Sequence, residues 1–178
     1  RMFLSRIEWN CKNGSLNRDE IYKEFEKIAC KVNGKFNVNY SDEIPNVAIF
    51  VSKQNHCLID LLWRVRNGEL KMKVPLIISN HSDLEIIAND FNAKFVHIDT
   101  FKTDKSIVED QFLYLLKEYE IDLVILEKYM QIFIKDEIKK FSSIINIHHS
   151  FLPAFKGGQP YHRAWKRGVK LIGATAHY

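Results

Sequence analysis

A series of short segments between residues 47 and 147 that are wholly or mostly apolar constrains the fold of this chain more than any other feature. Continuous apolar runs of this length are typical of strands that are buried on both faces of a sheet. We therefore predict a strand at each run. The runs are Val47–Val51, Val74–Ser79, Lys94–Ile98, Leu123–Leu126 and Ser143–Ile147.

Helical periodicity marks the segments that separate these runs. After the first run, Leu58, Leu62 and Val65 repeat at the spacing of one helix face. Strands that alternate with helices indicate parallel β-α units, and right-handed crossovers then give an α/β fold with a doubly wound, mostly parallel sheet. Ligands of such sheets bind beyond the carboxyl ends of the strands. The later helical segments are Leu84–Ala88, Val108–Tyr119 and Ile134–Phe141.

The front of the chain has a different texture and predicts a smaller α+β piece. We expect strands over residues 2–9 and 35–40, with a helix between them that begins after Asn17 and ends at Asn33–Gly34. A piece this small cannot bury much of a core, so it is expected to belong to a domain whose beginning is absent. The predicted organisation is residues 1–41 as this partial domain, 42–46 as a linker, and 47–178 as the main domain.

Composition excludes several classes of protein. There are 26 Lys and Arg against 22 Asp and Glu, and these charges are mixed along the chain rather than clustered, so a nucleic-acid partner is not expected. No apolar run approaches the roughly 20 residues of a membrane helix, and the first residues lack the apolar core of a signal peptide. The cysteines Cys11, Cys30 and Cys57 are few and irregularly spaced. We therefore expect neither a disulfide framework nor a zinc site at these cysteines, and we expect a cytoplasmic location.

The richest polar segment follows the last apolar run. Asn146 and His148 are two residues apart at a strand end, so in an extended backbone both side chains point to the same face. An amide donor beside an imidazole suits acyl chemistry at a carbonyl, because the amide stabilises an oxyanion and the imidazole transfers a proton. Neither is a nucleophile here, so water or an amine must attack. The alternative is that Asn146 caps a turn and the histidines are ordinary loop residues.

Other kinds of site are less well supported by the pattern. The loop after the first run, SKQNHC (52–57), contains no glycine and so lacks the fingerprint of a dinucleotide site. Cys57 within it is either a nucleophile or, as we favour, a buried and inert cysteine. The histidines match no standard spacing of metal ligands, so no metal site is expected. The histidines considered are His148, His149, His162 and His177.

Two groups of motifs make this chain resemble the formyltetrahydrofolate deformylase family. The first group is NIHHSFLPAF (146–155), PYHRAW (160–165) and GVKLIGATAHY (168–178). The second is VSKQNHCLIDLL (51–62) and VILEKYMQIF (124–133). The segment before residue 42 is similar to the second half of the ACT domain that precedes the hydrolase domain in this family.

This resemblance implies a formyltransferase-like, Rossmann-type domain that hydrolyses 10-formyltetrahydrofolate to formate and tetrahydrofolate, with formate going to purine biosynthesis. Asn146 would bind the formyl oxygen, His148 would polarise the formyl group and handle a proton, and an Asp expected beyond Tyr178 would complete the site. The folate is the substrate, with no cofactor and no metal, and ACT domains imply a homo-oligomer, a dimer or tetramer. The implied substrate-binding residues are Met130, Gln131, Ile132, Phe133, His149, Ser150 and His177.

Two alternatives stay open at this point. The first is a folate-dependent formyl transferase on the same fold, in which an amine attacks instead of water. The glycine-free SKQNHC loop, and His149 where that transferase has Pro, favour hydrolysis. The second is a non-catalytic ACT-type ligand sensor or inactive remnant, since the expected catalytic Asp lies outside residues 1–178.

Overall fold

A computed structural model describes most of the chain, and for His148 it describes the backbone alone. The described residues are 4–9, 17–100, 102–129, 133, 136, 141, 143–148, 150, 154–155 and 159–177. The chain divides into an N-terminal unit, Arg1–Glu43, and a C-terminal unit, Ile44–Tyr178. The division falls within the predicted linker at 42–46, while the assignment of the first unit to an ACT domain stays a prediction.

The N-terminal unit is built on helix α1, Arg18–Val32. The Asn17 side chain accepts a hydrogen bond from the Asp19 N–H at 3.0 Å and so caps the first turn. Asn33 ends the helix in the left-handed region with φ 49°, and the Gly34 N–H then reaches the Ala29 carbonyl at 2.9 Å. Both predicted ends of this helix are confirmed.

The two strands predicted in the N-terminal unit are wrong for the residues that can be judged. Neither residues 4–9 nor residues 35–40 belong to a strand. A strand is defined by hydrogen bonds to a neighbouring backbone, and neither segment finds such a neighbour within the described ranges. Phe36 instead packs its ring on Tyr22 and Phe25, with centroids 4.9 Å and 5.9 Å away.

The C-terminal unit contains a six-stranded sheet in the order β3-β2-β1-β4-β5-β6. Strands β1 to β5 are parallel, and β6 pairs antiparallel with β5. The doubly wound, mostly parallel sheet is therefore confirmed. The elements are β1 Asn46–Val51, α2 His56–Arg66, β2 Lys73–Ser79, α3 Glu85–Asp90, β3 Lys94–His97, α4 Lys105–Glu118, β4 Leu123–Leu126, β5 Ile144–His148, α5 Pro160–Lys166 and β6 Thr175–His177. The helix predicted over 134–141 lies almost wholly outside the described residues.

Strand β1 shows why the apolar runs are continuous. Its alternate residues serve two cores, because successive side chains of a strand point to opposite faces. Phe50 packs with Phe112 of α4 on one face, which we call the α4 face. Ile49 packs with Leu58 of α2 on the other, the α2 face. Each face of the sheet is covered by helices, so no position in the strand can be polar without a partner.

The order of the strands creates a switch point between β1 and β4. From β1 the chain continues to β2 on one side, whereas β4 pairs with β1 on the other. The carboxyl ends of the parallel strands lie along one rim, which we call the carboxyl edge. The loop after β1 and the residues after β4 therefore meet at the centre of this edge.

In the described part of the chain, none of the helices has both the length and the apolar character that a membrane span requires.

Candidate functional site

Asn146 lies on β5 at the carboxyl edge and is half-buried. Its Cα is opposite Leu126 of β4 on one side and opposite His177 of β6 on the other. Residues directly opposite each other on neighbouring strands present their side chains to the same face. Since Leu126 belongs to the core on the α4 face, the Asn146 amide and the His177 imidazole also lie on that face. Two of the predicted site residues are thereby neighbours.

His148 is the last residue of β5, and its backbone lies opposite Thr175 of β6. Strand β5 thus runs through both predicted catalytic positions, which is the condition under which residues two apart share a face. The side chain of His148 is outside the described part of the chain. The pairing of its imidazole with the Asn146 amide stays a prediction.

Ser150 follows β5 and is buried, with 2% of its surface exposed. Its carbonyl oxygen accepts a hydrogen bond of 2.7 Å from the Thr175 hydroxyl, which ties this segment to β6. The Ser150 hydroxyl has no hydrogen-bond partner among the described residues. A buried hydroxyl without a partner is available to a ligand group, because leaving it unpaired costs about 1–3 kcal/mol.

Among the residues after β4, Phe133 has a clear position. Its ring packs on Phe50, Phe112 and Tyr129, with centroids 6.2–6.3 Å away. This contact accounts for Phe133 as a core residue, and its role with a substrate stays a prediction. The other predicted substrate-binding residues Met130, Gln131, Ile132 and His149 lie outside the described residues.

A cluster of three side chains at the switch point was not anticipated from the sequence. His56 and Cys57 begin α2 after the glycine-free loop, and Glu127 follows β4. One ligating atom from each of the three side chains lies within 4.8 Å of the others. The sequence did contain a signal, since Glu127 is a charged residue placed directly after the apolar run LVIL. That run alone does not indicate which loop the carboxylate faces.

The electrostatics of this cluster decide between the two interpretations of Cys57. Burial, followed by the adjacent Glu127 carboxylate, raises the pKa of the Cys57 thiol to about 11. At neutral pH the thiol therefore keeps its proton, and the thiolate is the nucleophilic form. The inert interpretation is favoured over a nucleophilic one, whereas the prediction that Cys57 is buried is wrong, because its side chain is only half-buried. Burial, followed by Glu109, likewise raises the pKa of the Tyr129 hydroxyl.

Comparisons with known proteins identify the family of this chain. A family model described as formyl transferase matches residues 45–178. A formyltetrahydrofolate deformylase from Synechocystis sp. is 51% identical over 177 residues, which cover 99% of this chain and 62% of that protein. The chain spans about three fifths of the length of the curated relatives it matches.

Two solved structures are similar to most of this chain. A formyltetrahydrofolate deformylase from Pseudomonas syringae pv. tomato gives a TM-score of 0.82 at 36% identity, with 92% of this chain and 55% of that chain covered. A glycinamide ribonucleotide transformylase 1 from Symbiobacterium toebii gives 0.71 at 28% identity, with 80% and 69% covered. The family model extends from just before β1 to the end of the sheet, and therefore this chain belongs to the formyl transferase family.

Proposed function

We propose that this protein hydrolyses 10-formyltetrahydrofolate to formate and tetrahydrofolate, and that the formate supplies purine biosynthesis. The observation that carries the proposal is the 51% identity to the Synechocystis deformylase over nearly the whole chain. The position of Asn146 at the carboxyl edge supports it, because ligands of such sheets bind there. Cys30 and Cys57 are free thiols, which fits the reducing cytoplasm that is part of this proposal.

The proposed chemistry assigns one task to each group. A water oxygen bonds to the formyl carbon, and the formyl oxygen becomes an oxyanion that the Asn146 amide stabilises by donating a hydrogen bond. The bond between the formyl carbon and N10 then breaks, N10 takes a proton, and formate leaves. His148 takes this proton from the attacking water and passes it to N10, since an imidazole exchanges protons near neutral pH. The remaining water proton goes to solvent as formic acid becomes formate. The third group is proposed to be an Asp, which the family resemblance implies beyond Tyr178.

The folate is proposed to lie along the carboxyl edge, between residues 130–133 and the residues after β5. The buried Ser150 hydroxyl supports this placement, because it offers a hydrogen bond that no described residue uses. His177 supports it as the direct neighbour of Asn146 on the same face. Phe133, Met130, Gln131, Ile132 and His149 complete the proposed contacts.

A formyl transferase is the second candidate, favoured by the structural similarity to a glycinamide ribonucleotide transformylase. In that reaction an amine, rather than water, attacks the same formyl carbon. The loop after β1 argues against it, because a loop without glycine leaves the backbone N–H groups poorly placed to surround a phosphate.

An acceptor-free assay separates the two candidates. We expect the full-length gene product to release formate from 10-formyltetrahydrofolate without any added amine, because water is the proposed nucleophile. Formate and tetrahydrofolate are measured together, and their amounts must match. Turnover that begins only after glycinamide ribonucleotide is added would identify a transferase and contradict the proposal.

We also infer that the protein is a homo-oligomer, a dimer or tetramer, assembled through the N-terminal unit. Helix α1 supports this inference, because Ile28 and Val32 are one turn apart and are 55% and 71% exposed. Exposed apolar side chains that are neighbours on a helix are typical of a contact surface. The substitution Ile28→Lys is expected to lower the mass measured by size-exclusion chromatography with light scattering.

The matched control is Ile86→Lys on α3 of the C-terminal unit, where the isoleucine is 74% exposed. This control makes the same chemical change outside the proposed contact and should leave the mass unchanged. A monomeric wild-type protein would contradict the inference, and so would an equal loss of mass in both variants.

A further inference from the structure

The cluster of His56, Cys57 and Glu127 offers an imidazole nitrogen, a thiol sulfur and a carboxylate oxygen within 4.8 Å of one another. These are three atom types that zinc accepts as ligands. The cluster is held by two elements that the sheet order brings together, the start of α2 and the end of β4. It therefore does not depend on the placement of a long loop.

Glu127 supplies an independent observation that points to a ligand. Its side chain is buried, with 1% of its surface exposed, and neither carboxylate oxygen has a partner with good hydrogen-bond geometry among the described residues. The Cys57 thiol is close enough to interact with the carboxylate, but it brings no positive charge. A buried carboxylate without a partner is costly, so such groups are paired, bound to a metal or neutralised. The other ligating atoms of the cluster belong to His56 and Cys57, and neither side chain is a fixed cation.

The backbone fixes the position of this carboxylate. The Glu127 N–H donates to the Phe50 carbonyl at 2.8 Å, which continues the pairing of β4 with β1 by one residue. The next residue, Lys128, turns the chain with φ 49°, and its ammonium group donates to the Gln54 side chain in the loop after β1. The positive charge of Lys128 is thus directed to the side-chain amide of Gln54.

We propose that His56, Cys57 and Glu127 bind a divalent transition-metal cation of the zinc class. In a tetrahedral zinc site neighbouring nitrogen and sulfur ligands lie about 3.5 Å apart, so atoms that are up to 4.8 Å apart here move closer when the cation binds. His56 is exposed and can rotate to close this gap. The cation takes the place of the thiol proton, as thiolate binding of metals requires. Three protein ligands leave one position for water.

This site is distinct from the proposed hydrolytic site. Asn146 lies on the α4 face of the sheet, whereas Cys57 begins the helix that covers the α2 face. The role of the bound cation is to join the loop after β1 to the end of β4 at the switch point and to neutralise the Glu127 carboxylate. The proposal therefore does not depend on the proposed hydrolysis.

The test is zinc binding by the full-length protein after treatment with a chelator and desalting. We expect the wild-type chain to bind a single Zn²⁺, measured by competition with a chromophoric chelator. Glu127→Gln keeps the shape of the side chain and removes the charge, and it should weaken Zn²⁺ binding by at least about tenfold. Zn²⁺ should also raise the thermal midpoint of the wild type, and at the same Zn²⁺ concentration it should raise that of Glu127→Gln by less.

Cobalt identifies the sulfur ligand. Co²⁺ bound to the wild type should show the charge-transfer absorption of a cobalt–thiolate bond, which Cys57→Ser should abolish and the matched control Cys30→Ser should keep. His56→Ala changes an exposed side chain, so it tests the site even if Cys57→Ser does not fold. Equal Zn²⁺ affinity in the wild type and in His56→Ala or Glu127→Gln would overturn the proposal. A cobalt–thiolate band that persists in Cys57→Ser would do so too.

Discussion

Replacing Asn146 by alanine is expected to lower kcat for formate release by about 10²–10³-fold, the usual loss when one oxyanion donor is removed. The reason is that the amide donates its hydrogen bond most strongly when the formyl oxygen becomes negative. The KM for 10-formyltetrahydrofolate should change much less, because the neutral formyl group gains little from the same bond. Steady-state kinetics of the full-length gene product check both expectations.

The matched control for this variant is Asn89→Ala. Asn89 is exposed on α3, away from the carboxyl end of β5, so its removal should leave kcat unchanged. His148→Ala is expected to abolish turnover, and both variants should keep the circular dichroism spectrum of the wild type. A wild-type kcat in a folded Asn146→Ala protein would refute the assigned role.

Replacing Phe50 by alanine is expected to lower the free energy of unfolding of the C-terminal unit by about 3–5 kcal/mol. Phe50 is 1% exposed on the central strand β1. Its ring makes edge contacts with Phe112 and Tyr129, with centroids 5.1 Å and 5.3 Å away. Removal of the ring leaves a cavity and also ends these aromatic contacts. Urea denaturation followed by fluorescence measures the loss.

Tyr114→Ala provides the control for this measurement. Tyr114 is also an aromatic residue, but it is 65% exposed on α4, so its loss should change the free energy of unfolding by at most about 0.5 kcal/mol. Equal effects in the two variants would mean that Phe50 does not lie in the core as described.

Strands buried on both faces were predictable with good boundaries. The run LVIL was expected at Leu123–Leu126 and forms β4 with those bounds, and Val47–Val51 differs from β1 by one residue. Such strands must be apolar at every position, because each face meets a covering layer, so their position is written in the local sequence. The parallel arrangement followed from the helices between them.

Strands that no apolar run marks, and whose formation is decided by pairing with another segment, were not predictable. Thr175–His177 has no apolar run, yet it forms β6 because the edge of β5 is available to it. Residues 35–40 show the converse. Phe36, Val38 and Tyr40 alternate with exposed residues as in a strand, but no described backbone pairs with them. Hydrogen bonds to a second segment, and not local composition, decide these cases.

The same distinction applies to the candidate sites. Asn146 at the carboxyl edge could be inferred from the chain, because a polar residue at the end of a buried run must lie at the rim of a parallel sheet. The meeting of Cys57 with Glu127 could not, since it requires that β4 pair with β1 and that α2 begin beside that pair. Local hydrophobicity specifies where strands occur, whereas their order in the sheet depends on packing between segments far apart in the chain.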